Sequence, residues 1–193
     1  MSDVIEILEQ VREHYLQGYR QAYESFSEAN EKSAPEVLLQ LQNRENLPLP
    51  YQLYRIDMAS GDGNSPNLSE FNHDSHLSFE PVQFSANSIE AELYPIAWNA
   101  VEFETNEFKI SSEKLSDWAL KWLDQEEQAD TDEFGIGCYV HSITFPELEN
   151  GKVHFSIDFG SSSLACFHEL LSVLIEVGVT ELKIHSRTLL EEQ

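Results

Sequence analysis

From Trp98 onward the chain switches repeatedly between two hydrophobic periods, and the order of those switches constrains the fold more than any other feature. Trp98 to Phe108 alternates, with Val101 and Phe103 set against Glu102 and Glu104. That is the pattern of a strand buried on one face. Ser111 or Ser112 then offers an N-cap to a helix whose Leu115, Trp118, Ala119 and Trp122 form an apolar stripe. Gly135 to Phe145 reads as a strand and Pro146 to Gly151 as a turn. Lys152 to Phe159 reads as a strand with Val153, Phe155, Ile157 and Phe159 on one side. Ser161 to Ser163 precede a strongly apolar helix through Leu164, Phe167, Leu170, Leu171, Leu174 and Val177, which Gly178 ends. Leu182 and Ile184 belong to a last strand. The order β-α-β-β-α-β over about 90 residues, within 98–188, predicts a ferredoxin-like split βαβ unit. The fold class expected is α+β, with an antiparallel sheet and two helices on one face.

Upstream, residues 3–30 read as a helix. Val4, Leu8, Val11, Tyr15, Ala22 and Phe26 recur every three or four positions, and Ile5, Leu16, Tyr19 and Tyr23 widen the stripe. A second short helix is expected from Pro35 through Val37, Leu38 and Leu41. Leu47-Pro48-Leu49-Pro50 breaks any helix and sets the main boundary. The expected organisation is an N-terminal helical appendage over 1–46 and an α+β domain over 47–193. Tyr51 to Met58 alternates as a strand, and residues 76–84 and 89–96 are expected strands. Between them, Ser60 to Asn67 is a loop by composition.

Charge narrows the function classes. The chain has 35 acidic residues against 11 basic ones, a formal charge of −24. Phosphate binding draws on Lys and Arg, so nucleic acid and anionic membrane surfaces are poor ligands. A basic protein would be attracted over long range. No apolar run approaches the ~20 residues of a membrane span. No basic segment precedes an apolar stretch at the start, so no signal peptide is expected. Cys138 and Cys166 lack a metal-like spacing and read as small core residues, consistent with a reducing, cytoplasmic setting.

Four local patterns merit a chemical reading. Asp124, Glu126, Glu127, Asp130, Asp132 and Glu133 are carboxylates without an intervening base, either a solvated loop or a dock for a basic partner. Asp158 to Ser163 sits at a strand-to-helix turn, but it has no Lys and no phosphate-loop glycine pattern, so helix capping is the simpler role. His73, Asp74 and His76 cluster in a polar segment without a third zinc ligand at a known spacing. In the split βαβ arrangement, Glu102, Glu104, His154 and Asp158, with Lys183 and His185, would share the sheet face turned away from the helices. That face could bind a ligand or metal or do acid–base work, or it could be an ordinary solvated face.

Ile96-Ala97-Trp98-Asn99-Ala100-Val101-Glu102-Phe103 and Ser156-Ile157-Asp158-Phe159-Gly160-Ser161 resemble stretches of acidic bacterial proteins, some of which look like immunity proteins that neutralise a toxin. The resemblance covers about half of the chain and brings no catalytic motif. It implies a neutralising inhibitor. The expected function is therefore a non-enzymatic acidic protein that binds a basic protein, with no catalytic residue, no cofactor and no metal. Two other classes are a small enzyme or ligand-binding domain using the polar sheet face, and a structural subunit that assembles through the N-terminal helix.

Overall fold

The N-terminal apolar repeat folds as one helix, α1 (Ser2–Ala29). Val4, Leu8, Val11, Tyr15, Leu16, Tyr19 and Tyr23 are buried and join the core of the rest of the chain. Arg12 donates to the carbonyls of Ser161 and Ser162, at 3.3 and 2.7 Å. The Tyr19 hydroxyl donates to the Asp57 carbonyl at 2.6 Å. The helix is thus part of the core, not an appendage. The computed structural model describes residues 2–61, 65–71, 77–106, 113–124 and 130–186.

Residues 35–40 of the predicted helix over 35–41 instead lie in a strand, β1 (Ala34–Gln40). It pairs antiparallel with β2 (Leu53–Ser60), which pairs in turn with β3 (Asn67–Ser69). β1 is an edge strand, where proline is tolerated. Glu36 has a φ of +50°, which no α-helix accommodates. A short turn of 3-10 helix (Leu49–Gln52) carries the proline boundary into β2.

The second sheet has seven strands: β4 (Val82–Ala86), β5 (Ile89–Leu93), β6 (Val101–Asn106), β7 (Ser142–Ile143), β8 (Glu147–Glu149), β9 (Lys152–Asp158) and β10 (Glu181–His185). Their spatial order is β4-β5-β10-β6-β9-β7, with β8 also on β9. All pairs are antiparallel except β5 with β10, so the sheet is mixed. The predicted strand over 135–145 pairs only at Ser142 and Ile143, and the predicted 146–151 turn contains β8.

Two helices, α2 (Glu113–Leu123) and α3 (Leu164–Glu176), pack on each other. The Trp118 indole donates to the Cys166 carbonyl at 3.2 Å. Phe167 of α3 meets Phe103 and Phe159 at 6.3 and 5.8 Å between ring centroids. Val101, Phe103, Val153, Phe155, Ile157, Leu182 and Ile184 are all buried on this helix-covered face of the sheet. Among the described residues the structure is therefore α+β with three α-helices. Among the described residues, no helix is long and apolar enough to cross a membrane.

One residue ties the two sheets together. The His141 amide donates to the Asp158 carbonyl at 2.9 Å, and the His141 carbonyl accepts from the Arg55 amide at 2.8 Å. The three-stranded and seven-stranded sheets meet at that point.

Candidate functional site

Among the described residues, no helix covers the sheet face opposite α2 and α3. Register puts Glu102 opposite Ser156 and His185, and Glu104 opposite His154 and Lys183. Antiparallel partners point to the same side. Glu102, Glu104, His154, Lys183 and His185 therefore share the open face. Glu90 and Glu92 of β5, Glu181 of β10, and Glu147 and Glu149 of β8 join them by the same register. The lysines on this face are Lys152 and Lys183. Lys152 pairs with Glu104, and that bond holds the Glu104 carboxyl below the usual range. His185 Nδ1 lies 3.9 Å from Glu102. The face is thus acidic overall, and most of its side chains are half-buried or exposed.

Asp158 sits at the end of the same face but turns elsewhere. Its Oδ2 is 3.9 Å from Nδ1 of His141, a fully buried imidazole. His141 Nε2 is 2.8 Å from Glu36 Oε1, and Nδ1 is 3.1 Å from Asp57 Oδ1. Glu36 and Asp57 come from the paired strands β1 and β2, and both carboxylates reach the same imidazole, where their like charges repel. The imidazole lies between them and relieves that repulsion. The other Glu36 oxygen accepts the Gly137 amide at 2.7 Å, and Asp57 Oδ2 accepts the Phe71 amide at 2.8 Å.

Burial works to lower the pKa of His141, but Asp158, Asp57 and Glu36 together raise it well above the ordinary imidazole value. Burial pushes Asp158 up to about 7, with Asp57 and Glu36 adding to the rise and His141 opposing it. Burial first, then the neighbouring carboxylates, holds the Tyr15 and Tyr19 phenols far above their usual range. They remain protonated. The cluster also needs glycine beside it. A Cβ on Gly160, whose φ is +49°, would lie 2.2 Å from the His141 ring.

Arg55 completes the arrangement. Its buried guanidinium donates to the Leu123 carbonyl at 2.8 and 3.0 Å, to the Asp124 carbonyl at 3.0 Å and to the Glu36 carbonyl at 2.6 Å. It also lies 3.9 Å above the Tyr139 ring. A cation at the last carbonyls of α2 satisfies orphan acceptors and complements the helix dipole. Together these contacts clamp β1, β2, α2, β9 and the 137–141 segment. His141 and Glu36 are fully buried, while the Asp158 side chain keeps part of its surface in water.

The remaining predicted positions disperse. Asp130 and Glu133 are exposed. Asp132 folds its own loop by accepting the amides of Phe134 and Ile136, and it lies 3.5 Å from Arg20. Asp124 ends α2 with a φ of +45°. Glu126, Glu127, His73, Asp74 and His76 lie outside the described residues. In the Asp158–Ser163 turn, Asp158 accepts the Gly160 amide, and Ser163 occupies the N-cap position of α3 without a side-chain cap bond. Sequence reasoning missed Glu36, Arg55, Asp57 and His141. The signal available was charge inside apolar runs: Arg55 and Asp57 flank Ile56, and His141 follows Val140.

The open sheet face and the enclosed cluster are thus distinct, and only Asp158 belongs to both. Among the described residues, no group of three or more His, Cys, Asp or Glu side chains is placed to hold a metal ion. Comparison of the chain with protein-family models, with curated proteins and with solved structures finds no match.

Proposed function

We propose that this chain is a non-enzymatic acidic protein that engages a basic protein in the cytoplasm, as a neutralising inhibitor of the immunity-protein kind. The observation that carries the reading is the open sheet face, rich in carboxylates from β5, β6, β8 and β10 and with Lys152 and Lys183 as its lysines. The exposed acids of the 124–133 run add to the same field. Such a field steers an oppositely charged partner and raises its association rate. The burial of His141 and Glu36 favours a structural role for that cluster over catalysis, because a substrate must reach a catalytic group. We further read β6-α2-β7-β9-α3-β10 as a split βαβ unit. The strand order β10-β6-β9-β7 supports that reading.

The test is recovery of partners from native lysate at low salt, followed by association kinetics with the recovered protein. The partner should be basic. Its on-rate should fall steeply as salt rises from about 0.1 M, where the Debye length is ~10 Å, to about 1 M, where it is ~3 Å. An acidic partner, or an on-rate indifferent to salt, removes the proposal and leaves the charge as a solubility feature.

A further inference from the structure

Beneath the loop that follows β1, the open sheet face is not flat. A groove of about 510 Å³ runs between this loop, residues 144–145 and the β6, β9 and β8 strands. Glu102, Glu147, Glu149 and His154 line it together with Leu47 and Phe145. Arg44 is the lining cation among the described residues. The walls are held in place. The Leu47 carbonyl accepts from Gln52 at 2.6 Å, and the Leu47 amide donates to the Arg44 carbonyl at 3.0 Å. The Phe145 ring meets Tyr51 edge-on, with centroids 5.1 Å apart. Among the described residues, the side chains of Glu147 and Glu149 make no hydrogen bond or ion pair.

We infer that this groove takes an arginine-bearing segment of the basic partner, an inference that rests on the function proposed above. The combination of surfaces selects the occupant. Three carboxylates beside an aromatic ring and a leucine suit a side chain with an apolar stem and a cationic, planar head. Arginine lays its methylenes along apolar surface while its head stays polar. Its guanidinium stacks on aromatic rings and pairs with carboxylates through two parallel hydrogen bonds, which an ammonium does not match. The pinned walls mean that little loop entropy is lost on docking. The 124–133 run lacks this apolar component as a sequence, and it acts at long range only.

The experiment uses the full chain and two fluorescent probes, nona-arginine and nona-lysine, followed by anisotropy at low salt. The wild type should bind nona-arginine more tightly than nona-lysine. The triple variant Glu102→Gln, Glu147→Gln, Glu149→Gln should weaken nona-arginine by about tenfold or more, the scale of a lost charge-assisted pair. Phe145→Ala should erase the preference for arginine. The control triple Glu126→Gln, Glu127→Gln, Asp130→Asn removes the same charge and should weaken binding by less than about threefold, the screened effect of remote charge. Should the groove variants misfold, titrating the wild type and following its amide resonances decides instead, with shifts expected at residues 102, 145, 147, 149 and 154. Equal effects of the two triples, or resonance shifts confined to residues 124–133, overturn the groove and leave the basic-partner reading in place. No binding of either peptide by the wild type at low salt overturns both.

Discussion

At the scale of single residues, the costly feature of this protein is the charge it buries. Three carboxylates, Glu36, Asp57 and Asp158, surround the buried His141 imidazole at 2.8, 3.1 and 3.9 Å, and such a cluster is tolerated only because groups of opposite sign approach each other. Gly160 makes room for the ring, so Gly160→Ala combines a steric collision with a disfavoured backbone and should cost at least about 2 kcal/mol. Urea denaturation measures that loss, and a change under about 0.5 kcal/mol, typical of a neutral surface site, means that His141 does not sit where described. The same cluster sets a pH dependence. Asp158 titrates near 7 in the folded chain against an ordinary 3.8, and His141 is raised well above 6.5. Both groups hold protons more tightly when folded. Their stabilisation is complete below the unfolded values and is lost as pH rises through the folded ones. Stability should therefore fall as pH rises from about 4 to about 7, and Asp158→Asn should flatten that fall. A wild-type profile that rises over this range contradicts a protonated cluster. Glu104 and Glu169 work in the opposite sense at lower pH. Lys152 holds Glu104 down, while Lys121 and Trp122 hold Glu169 down against the effect of burial.

At the scale of elements, the helices show which apolar stripes carry weight. Trp118 is 2% exposed and touches α3, whereas Trp122 is only partly buried and donates to Glu169 at 2.8 Å. Trp118→Ala should cost about 3–5 kcal/mol, the range for a buried aromatic. Trp122→Ala should cost clearly less, because part of its surface is already in water. Equal losses in chemical denaturation contradict this assignment. The stripe of α1 was legible from Val4 to Tyr23, because a period of three to four is a local property. Its destination was not legible, and the same stripe would suit a second chain. Here the core of its own chain covers it. The error over 35–41 has a related origin. Val37, Leu38 and Leu39 are compatible with either element, and only the ladder to β2 chooses strand.

At the scale of the molecule, the formal charge of −24 acts as a single object. Unscreened self-repulsion destabilises the folded chain at neutral pH. Raising salt from about 0.01 to about 0.15 M shortens the Debye length from ~30 to ~8 Å. Tm at neutral pH should rise over this interval, and Lys121→Gln, which removes a partner of Glu169, should make the rise steeper. A Tm that is flat or falls with salt means that local pairs already balance the field. This global charge is also what the proposed partner would sense first, before any groove is reached.

The sequence by itself determined the alternation of β6 and β9, the stripes of α1, α2 and α3, the end of α3 at Gly178, and the acidity. Each depends on neighbouring residues or on a simple count. It also put Glu102, Glu104 and His154 on one open face, since the period of a strand fixes which side each residue takes. The three-dimensional structure alone decided the rest. It separated β1–β3 into a second sheet, made β5 parallel to β10, and turned Asp158 away from its neighbours toward His141. Glu36, Asp57, His141 and Asp158 span more than 120 positions of the chain, and no local period relates them. Their meeting follows from how two sheets dock. Buried charges persist at such a junction only where distant segments bring partners of opposite sign, which is a property of the packing and not of any one segment.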